Sequence, residues 1–182
     1  MNIFALLYII PIGCSYTISA LVGIYQAENK THIAKKQWNI AYLYGIFLVV
    51  VSLILVHQHC KQILGSYLNN EAVKVKILST IPLIFSFVIL QSSSGMLNGV
   101  IRGLGMQNMA ALYTFIGYFL VGLPLSYFFA FKAQSFLNLD QRPLLRTIRG
   151  LDGMYLGMNI AALLLNYCYL RIIYTLDWRP HS

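Results

Sequence analysis

The stretch GVIRGLGMQ, from Gly99 to Gln107, decides how this chain folds. It holds three glycines and one cation, Arg102, and it separates two uncharged apolar runs, Ile77 to Ile101 and Gly103 to Phe131. A helix that crosses ~30 Å of hydrocarbon needs about 20 predominantly apolar residues. The stretch therefore predicts a tight turn between two membrane-spanning helices, with Arg102 at the point where the chain leaves the hydrocarbon.

The composition indicates that lipid, rather than water, is the main solvent of this chain. Hydrophobic residues make up 58% of it and charged residues 10%, whereas a soluble domain carries roughly 25% charged residues. The net charge of +8 would indicate a nucleic-acid partner in a soluble protein. Here the cations lie at the ends of apolar runs, which suits lipid headgroups. We therefore expect a lipid bilayer as partner and no nucleic acid.

Five apolar runs are long enough to cross a membrane, and each predicts one helix. A β-barrel is rejected because its strands would alternate apolar and polar residues, whereas these runs are continuously apolar. With five crossings, the two ends of the chain are expected on opposite sides, but the cations divide six against seven and leave the orientation open. We predict an all-α, polytopic membrane bundle in one domain, with spans at residues 3–25, 38–57, 77–100, 108–131 and 153–174.

Signals for cleavage, disulfides and metals are weak. The segment from Met1 to Cys14 has no cation in its first residues, and its apolar run continues to about Ala27, so we expect a retained helix and not a signal peptide. The three cysteines are far apart and form no CxxC, which does not indicate a disulfide framework. His57, His59 and Cys60 form HxHC, but metal ligation usually needs a convergent fourth ligand. We predict no metal site and no cofactor.

Five motifs occur in the order known from one family of membrane transporters. They are PIGCSYTISALVG (Pro11–Gly23), GMLNGVIRGLGMQ (Gly95–Gln107), YFLVGLP (Tyr118–Pro124), GMYLGM (Gly153–Met158) and LDW (Leu176–Trp178). On these motifs the chain resembles the C-terminal half of the multidrug and toxic compound extrusion (MATE) transporters. The resemblance implies that the five spans correspond to helices eight to twelve of a twelve-helix transporter with two lobes, so that the chain is a fragment of one lobe.

The resemblance also implies a function, namely export of organic cations and other xenobiotics across a plasma or organelle membrane, in exchange for H⁺ or Na⁺. The chain departs from the family's pattern at Gln91, where many members carry an acid, and at Tyr155, which replaces the usual Trp. An intramembrane carboxylate marks an ion pathway by default. None of the five acids lies in mid-span, and Asp152 is the deepest. Asp152 is the candidate for ion coupling, but capping and the helix dipole already explain a carboxylate at a helix N-terminus well.

Polar and aromatic residues inside the spans are the candidates for contact with a substrate. Gln91, Ser94 and Asn98 are spaced by three and four, so they share one face of the third helix. Two interpretations compete: small polar residues join membrane helices to one another, or they form the wet wall of a cleft where aromatic faces hold organic cations. The predicted cleft residues are Gln91, Ser94, Asn98, Tyr118, Tyr155 and Asn159.

Prolines and glycines inside the spans predict bends. Each proline removes one backbone hydrogen bond from its helix, which produces either a moving hinge for alternating access or a static kink. The glycines permit a tight turn and close packing, and the one arginine among them is expected to extend to the lipid headgroups. The predicted hinge and turn residues are Pro11, Pro82, Gly99, Arg102, Gly103, Gly105 and Pro124.

Two classes of function therefore stay open. No nucleophile–base arrangement and no phosphate-binding loop stands out, so we predict that the chain is not an enzyme. The first hypothesis is an ion-driven exporter of which this chain is a part. The second is a non-transporting membrane scaffold, or a half-transporter that needs the missing N-terminal lobe or a second copy. A relative that moves lipid-linked substrates is a weaker third hypothesis, because the turn around Arg102 argues against it.

Overall fold

The computed structural model describes residues 3–67, 71–132, 150–176 and 178, and the regular structure within these ranges is helical. Each of the five helices contains an apolar stretch long enough to cross a membrane. The predicted all-α, polytopic membrane bundle is therefore confirmed. The helices are α1 (Ile3–Ala27), α2 (Thr31–Tyr67), α3 (Glu71–Gly103), α4 (Gln107–Lys132) and α5 (Leu151–Thr175).

Two helices extend well beyond the apolar runs from which they were predicted. Helix α2 begins at Thr31 and continues ten residues past His57 to Tyr67, and α3 begins at Glu71 instead of Ile77. Hydropathy marks only the part of a helix that lies in hydrocarbon, and the helix continues into the headgroup region where its residues favour that conformation. Most of the polar connector predicted between these spans is therefore helical. The connector predicted after Lys132 lies mainly at 133–149, outside the described residues.

Alternate helices run in the same direction, as a chain that crosses a membrane repeatedly requires. Ser15 of α1 lies beside Gly95 of α3, and Ser19 lies beside Gly103, so residue numbers rise together along these two helices. The hydrogen bonds between α3 and α5 show the same parallel register. Helix α4 runs antiparallel to α5. Among the described residues, helix α3 is the centre of the bundle, because it contacts the other four helices.

The buried apolar side chains form two clusters that both include α3. In the larger one, α1 and α3 enclose side chains that are fully buried, namely Ile18, Val22, Met96, Leu97 and Val100. The smaller one joins α2 to α3 through Val49, Leu53, Ile84 and Val88. Large apolar side chains such as Leu43 and Phe131 are exposed on the outer faces. In lipid such exposure costs nothing, so close packing rather than apolar burial holds these helices together.

Two glycines of α3 let it approach α1 closely. A Cβ atom at Gly99 would lie 2.5 Å from the carbonyl oxygen of Ser15, and one at Gly103 would lie 2.7 Å from that of Ser19. Both distances are shorter than real Cβ contacts allow. Gly99, Arg102 and Gly103 therefore lie inside α3 and not in the predicted turn, which is restricted to residues 104–106. Only Gly105 has the left-handed backbone, with φ of +78°, that the turn requires.

Pro124 coincides with a change in helical geometry in α4. The residues just before it, Ile116–Gly122, form π-helical turns, and the N–H of Leu123 bonds to the carbonyl of Tyr118, five residues earlier. Because proline has no N–H, the α-helical bond at position 124 is missing, and a wider turn accommodates the gap. Pro11 and Pro82 lie within α1 and α3. Their role as moving hinges stays a prediction.

The LDW motif ends the described part of the chain, although its Asp177 lies outside the described residues. Trp178 is buried, and its Nε1–H donates to the carbonyl of Ile173 at 2.9 Å. Its own carbonyl accepts a hydrogen bond from Gln26 Nε2 at 3.1 Å, and Lys35 Nζ lies 5.5 Å from the ring centre. The motif thereby joins the end of α5 to the ends of α1 and α2.

The Gly99 contact can be tested by a substitution that adds one carbon atom. We expect Gly99→Ala to destabilise the protein by about 1–3 kcal/mol, because the new methyl group overpacks the crossing with α1. The measurement is the midpoint of thermal unfolding in detergent micelles, followed by circular dichroism. The matched control is Gly95→Ala, one turn earlier in α3, where nothing lies within 4 Å of the added atom. A loss of stability in the control as large as in Gly99→Ala would contradict the steric explanation.

Candidate functional site

A cavity of about 370 Å³ lies between α1, α3, α4 and α5. Its volume falls within the range of roughly 300–1,000 Å³ that small-molecule sites occupy. The rim includes Tyr16, whose side chain is largely exposed, so the cavity communicates with the outside of the chain along α1. Apolar side chains, among them Ile12 and Leu165, form part of its wall. The remaining wall is polar, which is unusual for the interior of a membrane bundle and marks the cavity as the candidate site.

Four of the six predicted cleft residues line this cavity. Gln91, Ser94 and Asn98 lie along one face of α3, as their spacing predicted, and Tyr118 faces them from α4. The Tyr118 hydroxyl donates a hydrogen bond to Oε1 of Gln91, which joins the two helices across the cavity wall. The Nε2 amide of Gln91 makes no hydrogen bond within the described residues. A donor is therefore available to a bound molecule.

Asn98 belongs to a polar network that three helices share. Its Nδ2 donates to Thr114 Oγ1 of α4 and to the Tyr169 hydroxyl of α5, both at 3.1 Å. The hydroxyl oxygens of Thr114 and Tyr169 are themselves 2.7 Å apart, and Tyr169 is only 1% exposed. The spacing of residues within one helix does not reveal Thr114 or Tyr169, because the network exists only where three helices meet. These two residues were missed by the sequence analysis, and both line the cavity.

Tyr155 and Asn159 do not line the cavity. Asn159 is buried between α3 and α5, where its Nδ2 donates to the Leu83 carbonyl at 3.1 Å and its Oδ1 accepts from Ser86 Oγ at 3.0 Å. Tyr155 packs edge-on against Phe87, with ring centres 5.9 Å apart. This face of α5 is turned toward α3, about two helical turns before the residues of α5 that reach the cavity. Asn159 therefore serves interhelical hydrogen bonding, and Tyr155 serves packing against α3.

A second set of hydrogen bonds connects α2, α3 and α5. The Tyr42 hydroxyl lies 2.7 Å from Ser93 Oγ, which donates to Asn166 Oδ1 at 2.6 Å. Asn166 Nδ2 in turn donates to the Leu90 carbonyl at 2.9 Å. Because a polar group buried in a membrane bundle must find its partner within the protein, these residues fix the register of the three helices. They lie behind the cavity wall and hold it in place.

Arg102 turns inward, so the prediction that it extends to the headgroups is wrong. Its Nη2 donates to Ser15 Oγ at 2.8 Å, and its guanidinium carbon lies 5.3 Å from the centre of the Tyr16 ring. The reason is its place in the last turn of α3: side chains of a helix lean toward its N-terminus, which at this end of α3 means toward the bilayer. The negative end of the helix dipole also favours a cation there.

Asp152 is held by an ion pair and not by a helix cap. Its carboxylate contacts Lys76 Nζ and accepts a hydrogen bond from Thr80 Oγ1, so it joins α5 to the first turns of α3. The cap position of α5 is Gly150, and it makes no capping hydrogen bond through a side chain. Asp152 is 5% exposed, whereas the Lys76 side chain is 42% exposed. Lys76 lies just outside the predicted span 77–100, so the sequence does not predict its proximity to Asp152.

Within the described residues, the bundle places a cavity with a polar wall at a junction of helices that contain prolines and π-turns. Secondary transporters bind their substrates between membrane helices whose regular geometry is interrupted, and this arrangement is similar to theirs. Residues 1–128 match the model of the MatE family, and the chain belongs to that family. It is a multi-pass integral membrane protein of a transporter family, and the family is not one of enzymes.

Curated relatives agree with this assignment. The chain is 26% identical over 174 residues to multidrug and toxin extrusion protein 1 of Oryctolagus cuniculus, which covers 95% of this chain and 28% of the relative. The Homo sapiens protein of the same name is 26% identical over 179 residues, which covers 96% of this chain and 28% of the relative. Protein DETOXIFICATION 3 of Arabidopsis thaliana is 28% identical over 131 residues, which covers 70% of this chain and 27% of the relative. The chain thus spans little more than a quarter of the length of these relatives.

The ion pair between Lys76 and Asp152 can be tested by a double-mutant cycle. We expect Lys76→Met to destabilise the protein by about 2 kcal/mol, because it leaves a buried carboxylate without its counter-charge. Adding Asp152→Asn should restore most of the loss, since the double variant has no unpaired charge. The measurement is thermal unfolding in micelles.

The control for this cycle is Lys74→Met, two residues away in the same helix. Lys74 pairs with Glu71, whose side chain is 80% exposed, so its removal should change stability by less than about 1 kcal/mol. If the stability changes of Lys76→Met and Asp152→Asn simply add in the double variant, the two residues do not interact energetically.

Proposed function

We propose that this chain forms part of one lobe of a secondary-active antiporter, which exports organic cations and related xenobiotics in exchange for H⁺ or Na⁺. The observation that carries the proposal is the cavity, where the predicted residues Gln91, Ser94, Asn98 and Tyr118 come together in a chain of the MatE family. The names of its relatives, which describe multidrug and toxin extrusion, support the same class of substrate.

Alternating access would use the irregular parts of the helices that enclose the cavity. Pro11 lies directly in the cavity wall, and the π-helical turns of α4 precede Pro124 on the opposite side. Both places lack a regular α-helical hydrogen bond, so they bend at a lower cost than an intact helix. Pro82 is a further candidate hinge in α3. Rocking of the helices about these points would open the cavity to one side of the membrane at a time.

Ion coupling needs a carboxylate that releases one ion as it binds another. Asp152 is the most deeply buried acid in the part of the chain that the structure describes. A coupling role for Asp152 requires Lys76 to withdraw so that H⁺ or Na⁺ takes its place. The exposure of the Lys76 side chain supports such an exchange, because the ammonium group can move into solvent without crossing the bundle.

The second candidate function is a non-transporting scaffold, or a half-transporter that needs the N-terminal lobe or a second copy of this chain. One observation favours it: among the described residues, no acidic side chain lines the cavity. A cation in the cavity would therefore lack a counter-charge from this chain alone. A partner that supplies a carboxylate would complete the site.

Gradient-driven uptake into lipid vesicles separates the two candidates. A fluorescent organic cation, such as a cationic rhodamine ester, is presented to vesicles with a pH gradient, a sodium gradient or none. The 182-residue chain is compared with a longer protein in which it replaces the matching segment of the Homo sapiens relative, multidrug and toxin extrusion protein 1. We expect a gradient to drive uptake by the longer protein and not by the chain alone, because one lobe does not enclose a cleft.

A cavity variant of the longer protein tests the site itself. Asn98→Leu should reduce uptake at least about tenfold, since it removes the donor that links three helices. The matched control is Leu120→Ala on the exposed face of α4. If the longer protein is folded and takes up no dye under any gradient, the result favours the scaffold.

A further inference from the structure

The charge of the cavity wall is opposite to what a site for cations needs. Arg102 is the one residue with a formal charge at neutral pH among the described residues that line the cavity. The other polar groups are hydroxyls and amides. A cation placed beside this guanidinium would be repelled, and the repulsion is strong because the surrounding protein and lipid screen it poorly.

No carboxylate of the described residues neutralises Arg102. The acids in these ranges already have lysine partners, since Glu28 pairs with Lys30, Glu71 with Lys74, and Asp152 with Lys76. The Nε–H of Arg102 is buried without an acceptor in the same part of the chain. A guanidinium has five N–H donors, and the one hydrogen bond described for it goes to a hydroxyl. A half-buried cation in this state attracts an anion.

Two neighbours hold the guanidinium in a fixed position. Ser15 Oγ accepts from Arg102 and donates its own hydrogen to the Gly95 carbonyl at 2.7 Å, so the hydroxyl is oriented by the backbone of α3. The Tyr16 ring lies against the guanidinium at a distance typical of a cation–π contact. A guanidinium that is positioned in advance loses little entropy when it binds a planar oxyanion with two parallel hydrogen bonds.

We propose that the cavity binds the anionic end of an aromatic organic acid, with the carboxylate or sulfonate of the ligand on Arg102. The aromatic body of the ligand would lie against Tyr16, Ile12 and Tyr118, and the free Nε2 of Gln91 would donate to an acceptor at its far end. The cavity volume of about 370 Å³ lies in the range of sites that bind drug-sized aromatic molecules. The ligand class is therefore an organic anion or a zwitterion.

This inference rests on the proposed function only in taking the cavity as part of the substrate path. It concerns binding to this chain by itself, whereas the proposed function concerns exchange across a membrane. A zwitterion satisfies both, because its cationic end can be bound by groups that this chain does not supply. Binding and transport are measured separately, so each proposal can fail without the other.

The experiment compares two dyes with the same ring system and opposite charge. Fluorescein is an organic anion at neutral pH, and a cationic rhodamine ester is its matched cation. The 182-residue chain is reconstituted in nanodiscs of phosphatidylcholine, which has no net charge, and binding is followed by fluorescence anisotropy. We expect fluorescein to bind at least about tenfold more tightly than the rhodamine, and Arg102→Gln to weaken fluorescein binding at least about tenfold.

Three further variants make the result specific. Arg171→Gln removes the same charge from an exposed position of α5 and should leave fluorescein binding unchanged. Gln91→Leu should weaken it while Arg102 stays in place. Arg102→Lys keeps the charge but loses the planar fork, so an intermediate affinity is expected, and this variant decides the matter if Arg102→Gln does not fold. The proposal is overturned if the rhodamine binds as tightly as fluorescein, or if Arg171→Gln weakens fluorescein binding as much as the Arg102 variants.

Discussion

The close crossing of α1 and α3 is the contact on which the rest of the bundle depends. Lipid provides no hydrophobic driving force between helices, so association requires backbones that approach within van der Waals contact. Gly99 and Gly103 permit this approach, because a side chain at either position would collide with the carbonyl oxygen of Ser15 or Ser19. The same crossing brings Ser15 to the guanidinium of Arg102. One geometric constraint thus produces both the packing of the bundle and one end of its cavity.

Polar side chains in this bundle either join helices to one another or line the cavity. Their position, and not their chemistry, decides which of the two they do. Asn159 and Asn166 lie between α3 and α5, where their side-chain amides donate both to carbonyls of α3 and to carbonyls of α5 itself. Gln91 lies on the cavity side of α3, and its Nε2 has no hydrogen-bond partner among the described residues. The cost of an unpaired polar group in a membrane interior explains why the first kind is fully bonded. A free donor is tolerated only where a cavity admits water or a ligand.

The charged side chains at the two ends of α3 differ in their partners. Near its N-terminus Lys76 neutralises Asp152 of α5, and near its C-terminus Arg102 faces the cavity without an acidic partner in the described ranges. A paired charge stabilises the contact of two helices, whereas an unpaired one defines what the cavity attracts. The family assignment by itself predicts cationic substrates. Under the proposal made for Arg102, an acidic group on the ligand, or a partner that supplies one, would complete the site.

Sequence alone determined the five membrane-spanning helices of the described residues and the family, because hydropathy and local motifs are properties of short segments. The shared face of Gln91, Ser94 and Asn98 also followed from helical spacing. Which polar face meets a cavity and which meets another helix was decided by tertiary structure, since that depends on the rotation of each helix against its neighbours. In the structure Thr114 and Tyr169 line the cavity, whereas the predicted Tyr155 and Asn159 do not. Arg102 contacts α1 beside the cavity. The physical reason is the same in each case: a side chain's partner is set by the crossing of helices that are distant in the chain, and local spacing contains no information about that crossing.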